Sequence, residues 1–335
     1  MEYSIRQSIS DAYENSDNVN IKTEIFLNVY RKDDLSDNYM NYTKKIMKLM
    51  KKLKKYTDIK ENDEIIRDCE KEMEDYSKKK DVILEEAIKK YTDFINDKIL
   101  VSDRLVSRYQ RGFTIVDRFK GIENNNSPYG ILVLDLFKTI TSKSIFKTFS
   151  KEKTAYQLLL ENEPELIKKE YVSSREGAEK VELNFICYLI DLSTKDYNEN
   201  EIKKLLDDVS SEVSKTNEDL SKKIKAVYNS TKLTGNFSTT ILQVLRLSIG
   251  KGAFMNTSVI VTNLILKKIM GKGMTYAQNA VFRKFFARFL GSGPFAIFVN
   301  IALIIPDLAA VINRRDYVAT INVIFLLYFL RSNLS

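Results

Sequence analysis

The chain has 335 residues, with 53 Lys and Arg against 45 Asp and Glu, 11 Gly, 4 Pro, 2 Cys and neither His nor Trp. Low Gly and Pro with 29% charged residues point to helices, because turn-rich β architectures need more punctuation. The absence of His excludes Ser-His-Asp triads, Cys-His pairs, His-ligated zinc and imidazole proton shuttles, which leaves carboxylates, Lys, Tyr or a lone Cys for any catalysis.

The first residues, Met1 to Arg6, hold no basic segment followed by an apolar stretch, so no secretory signal is expected. A basic helix is predicted over 38–56. Ile46, Leu49, Leu53 and Tyr56 share one face, with Lys44, Lys48, Lys51, Lys52 and Lys55 around it. That basic face suits nucleic acid or anionic lipid, but the acids Asp58, Glu61, Asp63 and Glu64 that follow at once favour a solvated face. A second helical run begins after Asp63, and a third carries Leu84, Ile88, Tyr91 and Ile95. The segment Asn124, Asn125, Asn126, Ser127, Pro128, Tyr129, Gly130 reads as a loop.

Ile131 to Asp135 then resembles a buried strand ending in an acid. A phosphotransferase-type DxDxT motif fails there because Phe137 stands where the second carboxylate is needed, and Leu132, Leu136, Ile140 and Ile145 fit a buried helix as well. Ser173-x-x-Glu176 reads as a capping box opening a helix to about Ile190. Ile202, Leu206, Val209, Val213, Leu220, Ile224 and Val227 hold a heptad seam with only the step near Thr216 unfilled. The seam fits either a coiled-coil partner interface or an intramolecular bundle, with the bundle favoured. Cys69 and Cys187 lie 118 positions apart without a CxxC spacing, so they read as structural thiols in a reducing compartment.

Charge divides the chain near Thr231. From there to the end, 12 Lys and Arg face only Asp307 and Asp316, a balance of +10, whereas residues 1–230 hold 41 basic and 43 acidic groups, a balance of −2. Seven of the 11 Gly also lie in the last part. Gly250-Lys251-Gly252, Gly271-Lys272-Gly273 and Gly291-Ser292-Gly293 punctuate helical segments. A phosphate loop at Gly271 fails because position 266 is Leu where the first Gly is needed, and Gly271, Gly273, Gly291, Gly293 and Pro294 are taken as helix punctuation.

Residues 289–306 run for 18 positions without a charge, and 317–330 for 14. Together they predict a hydrophobic helical hairpin, 289–331. Phe295, Phe298, Ile301, Ile304, Ile305, Ile324, Leu326 and Phe329 are its membrane-contact candidates, and Arg283, Lys284, Arg288, Arg314, Arg315 and Arg331 its headgroup or polar flank. The first arm is long enough to span a bilayer, while the second reaches only about 21 Å against a core of about 30 Å. Shallow or conditional insertion is therefore expected rather than a two-span anchor. The competing reading buries the same hairpin in a helical domain. Asp307 after Pro306 reads as a helix-end acid paired with a nearby Arg.

The order of small motifs in this part carries a resemblance. Gly235-Asn236-Phe237, Leu242 to Leu247, Val261-Thr262-Asn263, Met270 to Thr275, Asn279-Ala280, Gly293-Pro294, Asp307-Leu308-Ala309 and Tyr317-Val318-x-Thr320-Ile321 to Tyr328-x-x-Arg331 look like the C-terminal part of the YaaW family of uncharacterised bacterial proteins. The likeness covers about 182–331 and is strongest from 235. Phe295, Ala296 and Ile297 depart from the family's usual Ile-Gly-Trp, and Asn322 stands where proline is usual. The resemblance implies a bacterial, helical protein and no reaction, so no catalytic residue is carried over.

The expected fold class is all-α, with a helical, coiled-coil-like region 1–125, a helical middle region 126–230 and a basic, apolar helical domain 231–335. The expected function is non-enzymatic: a membrane-associated helical protein, an effector that perturbs the membrane in bacterial stress or phage defence. The alternatives are a helical scaffold or regulator with the hairpin buried and, behind it, nucleic-acid binding through the basic C-terminal part. No cofactor or metal is expected. The expected partners are an anionic membrane surface and, through the N-terminal helices, a protein partner or a second copy; nucleic acid is not among them. The expected location is the cytoplasm, partly at the inner face of the cytoplasmic membrane.

Overall fold

The computed structural model describes residues 2–30, 33–56, 63–112, 127–142, 155–194, 199–215, 217–230 and 315–331. The protein is all-α, and among the described residues the one β feature is an isolated bridge between Ser4 and Pro128. The helices are α1 (Ile5–Asn15), α2 (Val19–Val29), α3 (Asp34–Tyr56), α4 (Asp63–Ile95), α5 (Lys98–Gly112), α6 (Tyr129–Ser142), α7 (Ala155–Asn162), α8 (Lys169–Val172), α9 (Arg175–Thr194), α10 (Glu199–Ser214), α11 (Glu218–Ser230) and α12 (Arg315–Arg331).

Side-chain caps fix where several helices begin. Ser4 and Gln7 form a capping box on α1: the Gln7 N–H donates to Ser4 Oγ and the Ser4 N–H to Gln7 Oε1, which satisfies two of the donors a helix start leaves over. Asn18 caps α2 through the Ile21 N–H, and Asp97 caps α5 through the Leu100 N–H. The helix expected to open at the Ser173–Glu176 box opens one residue later. Ser174 Oγ accepts the Gly177 N–H at 3.0 Å, so Ser174 is the cap and Glu176 falls outside the reciprocal position.

Residues 131–135 are helical, inside α6, and Leu132, Leu136 and Ile140 are buried as the helical spacing requires. The second and third helical runs after Asp63 are one helix, α4, with non-helical angles at Tyr91 (φ −121°, ψ 21°). Its buried stripe is Cys69, Met73, Ser77, Lys80, Ile83, Ala87, Tyr91 and Ile95, so Leu84 and Ile88 sit at its margin, half-buried. The step left unfilled near Thr216 is a turn. The Leu220 N–H donates to Asn217 Oδ1, and α11 folds back on α10 with the Ser210 and Ser221 hydroxyls 2.7 Å apart in the seam. The seam residues Leu206, Val209, Val213, Leu220 and Ile224 are thereby buried within one chain.

The chain divides into two compact units, Met1–Glu182 with Lys284–Ser335, and Leu183–Arg283. The contacts thus join the end of the sequence to its beginning, whereas composition places a boundary near 231. In the first unit α12 packs against α1, α2, α5 and α6. α2 is itself buried continuously from Ile21 to Val29, so two helices rather than one occupy the middle of this unit. Gly130 permits the start of α6 to approach the end of α8 and the start of α9: a Cβ there would run into the Val172 carbonyl oxygen and lie 3.0 Å from Ala178 Cα. The described part of the second unit is the end of α9 and the α10–α11 pair. Among the described residues no helix is long and apolar enough to cross a membrane.

Candidate functional site

α12 poses a positional problem. Its sequence is apolar on every face, and each side chain from Ala319 to Leu330 is 5% exposed or less. Burying such a helix is favourable at about 25 cal/mol per Å² of apolar surface, but that drive is non-directional. It sets neither the rotation nor the axial register. The few polar side chains do.

At the N-terminal end, Asp316 lies in the first turn, where a carboxylate complements the helix dipole. Its Oδ1 is 3.1 Å from Nε of Arg108, a fully buried guanidinium on α5, and 3.9 Å from Nε of Arg111. The Tyr317 ring packs on Gly112 so closely that a Cβ there would stand 3.0 Å from it. Midway, Asn322 Nδ2 donates to Asn28 Oδ1 on α2 at 3.4 Å, and Asn28 Nδ2 donates in turn to the Glu24 carbonyl at 2.8 Å.

At the C-terminal end, Arg331 Nη2 donates to Glu182 Oε1 on α9 and, at 3.4 Å, to the Tyr129 hydroxyl, which also donates to Glu182. The Arg331 guanidinium lies 5.4 Å from the centre of the Tyr129 ring, and Tyr3 meets that ring edge-on at 6.4 Å. The first residues are tied into the same place. The Tyr3 N–H donates to the Ser173 carbonyl, the Tyr129 N–H to the Tyr3 carbonyl at 2.9 Å, and the Tyr3 hydroxyl to Asp11, which pairs with Arg175 at 3.3 Å.

The electrostatics follow from burial. Desolvation pushes the Glu182 carboxyl up, and the Arg331 cation beside it counteracts only part of that. Burial also works against the Arg331 cation, but Glu182, Tyr129 and Tyr3 more than offset it and hold it protonated. Tyr129 and Tyr3 are both raised, first by desolvation. A second buried cluster joins α2, α3 and α4. The Lys80 ammonium stands 4.2 Å over the Tyr39 ring; burial lowers Lys80 to about 8 and raises Glu24 to about 7, each opposing the other's shift.

Buried Cys69 and Cys187 form no disulfide, and among the described residues no group of three or more acidic or thiol side chains could hold a metal ion. What the ties can do is fix one helix in one position. Polar groups in an apolar contact specify register in this way because a slip leaves them unpaired in low dielectric.

Of the hairpin residues expected at a membrane, Ile324, Leu326 and Phe329 are buried at 0–1% exposure in the protein core. Any contact with lipid would require α12 to leave its neighbours. Arg331, expected as a polar flank, points inward to Glu182, and Arg315 opens α12. Phe295, Phe298, Ile301, Ile304, Ile305, Arg283, Lys284, Arg288, Arg314, Gly271, Gly273, Gly291, Gly293 and Pro294 lie outside the described residues, as does Asp307. Sequence reasoning missed Glu182, Tyr129, Arg108 and Asn28. The available signal was one-sided: an Asn and an Arg inside and at the end of an apolar run need partners, but those partners lie 149 to 294 positions away.

No protein-family model matches the chain, and neither a curated protein nor a solved structure matches it.

Proposed function

We propose that the chain is a non-enzymatic helical regulator whose N-terminal helices hold the apolar C-terminal helix as a core element. The observation that carries this reading is the continuous burial of Ala319 to Leu330 between a tied Asp316 and a tied Arg331. A hairpin arm held this way is a component of the bundle. Taking it into lipid would strip Asp316, Asn322 and Arg331 of their partners, at a cost of several kcal/mol.

One observation favours a membrane role beside this. Residues 289–306 are uncharged, with Arg283, Lys284 and Arg288 before them and Arg314 and Arg315 after. In this part of the proposal the first arm, not α12, meets an anionic leaflet at the inner face of the cytoplasmic membrane, as an effector in stress or phage defence. The basic flank supplies about 1 kcal/mol per well-placed Lys or Arg.

Flotation of the full chain with phosphatidylglycerol vesicles and with neutral vesicles separates the two statements. The chain is expected to float with the anionic vesicles, and Phe298→Asp with Ile304→Asp is expected to abolish flotation while leaving the helical content intact. If the full chain stays at the bottom of the gradient with both lipids, the membrane role fails. If wild-type flotation exposes the α12 amides to hydrogen exchange, the core role fails.

A further inference from the structure

From the α3–α4 pair we infer that Tyr42, Lys45, Tyr76 and Lys79 form a binding site for single-stranded nucleic acid, extended along α3 by Lys48 and Lys52. Seven lysines lie within residues 44–55, and no acid occurs between residues 38 and 57. Spacing alone makes this a solvated basic face. The structure adds an aromatic centre to it.

Tyr42 on α3 and Tyr76 on α4 stack with ring centres 5.7 Å apart and planes at 30°, both half-buried. The Lys45 ammonium is 5.4 Å from the Tyr42 ring and 5.0 Å from the Tyr76 ring, and the Lys79 ammonium is 6.0 and 5.7 Å from the same two. Two cations therefore meet two π-systems at one place on the surface of the pair. Lys79 is also paired with Asp75 at 2.6 Å, whereas no ion pair among the described residues engages Lys45, Lys48 or Lys52. On α3 the positive charge continues from the tyrosines in steps of three and four residues, a rise of about 4.5 and about 6 Å along one side of the helix. On α4 the exposed Asp68 and Glu72 place negative charge beyond Tyr76, so the basic extension of the site runs along α3.

This combination of charge for phosphates and aromatic groups for bases is what sequence-tolerant single-strand binding uses. A duplex offers its phosphates but not its base faces, so it would leave the tyrosines unused. A bilayer would call for apolar anchors among the lysines. Among the described residues, the large apolar side chains that stand well out are Val19, Val82, Phe94 and Ile99, none of them on α3.

The test is fluorescence anisotropy of the full chain with a labelled 15-nucleotide oligodeoxythymidine at 50 and 200 mM salt. Saturable binding that weakens with salt is expected. Tyr76→Leu, which keeps apolar bulk but removes the ring, is expected to weaken it about tenfold, the effect of losing one stacking side chain. Tyr76→Phe is expected to bind like wild type. Lys45→Gln with Lys48→Gln is expected to lower the slope of log K against log salt by about 1.4, from two phosphate contacts on a single strand. This lysine pair decides the matter should Tyr76→Leu fail to fold. The inference is overturned by absence of binding at 50 mM salt, by binding that these variants leave unchanged, by tighter binding of a duplex of the same length, or by capture on anionic vesicles without oligonucleotide binding.

Discussion

α12 and the α10–α11 pair both bury apolar side chains, yet they are held in opposite ways. The α10–α11 pair buries one seam and leaves its outer faces to Lys204, Asp207, Lys222 and Asp219, so the spacing of the apolar residues itself dictates which side turns inward. α12 has no outer face. Its apolar residues dictate burial but not orientation, and Asp316, Asn322 and Arg331 supply the orientation through partners on α5, α2, α6 and α9. Periodic helices carry their own register; uniformly apolar ones borrow it from buried polar pairs.

The sharpest way to break this contrast is to remove one borrowed partner. Glu182→Ala leaves the Arg331 cation buried without its carboxylate and is expected to destabilise the protein by about 3–5 kcal/mol in chemical denaturation. Glu182→Leu combined with Arg331→Met is expected to recover most of that loss, because no charge is then left uncompensated. In the periodic region no such rescue exists. Leu206→Ala is expected to cost about 2–5 kcal/mol by the volume it removes, and no second substitution at a distant site should restore it.

A smaller, pH-dependent effect belongs to the Glu24–Lys80 cluster. Burial raises Glu24 to about 7 in the folded chain, above its ordinary value of 4.5, so the folded state binds this proton more tightly than the unfolded state does. That contribution is present at low pH and is lost as pH rises from about 4.5 to 7. Lys80, lowered to about 8, acts the other way, adding stability as pH rises from about 8 toward 10.5. Glu24→Gln is expected to flatten the first slope in urea denaturation followed from pH 4.5 to 7; an unchanged slope would place that titration elsewhere. The smallest effect is expected on the outer face of α11. Lys223→Gln breaks an exposed pair with Asp219 at 2.7 Å and should change stability by no more than about 0.5 kcal/mol.

How much of this was legible in the sequence follows from the same contrast. The all-α class, the seam of α10 and α11 and the helical alternative for 131–140 could be read because each depends on residues three and four apart. The single residue between the Ser173 box and the Ser174 cap was not legible, since adjacent serines both satisfy the pattern and only the backbone angles choose. Folding-back at Asn217 was visible as a gap in the heptads but not as a turn. The ties of α12 were beyond reach because Asn28 and Asn322 are brought together by tertiary packing over 294 positions, and nothing local in either sequence names the other. The uniform hydrophobicity that suggested lipid for Ile324, Leu326 and Phe329 describes a central helix equally well, since lipid and protein core impose the same demand on a side chain.

The most direct measurement is hydrogen exchange of the full chain, followed by mass spectrometry on peptides covering residues 317–330. With α12 held as a core element, these amides are expected to exchange as slowly as those of α5, and Glu182→Ala is expected to accelerate both together. Exchange of 317–330 at the rate of an unprotected helix, while α5 stays protected, would contradict the account.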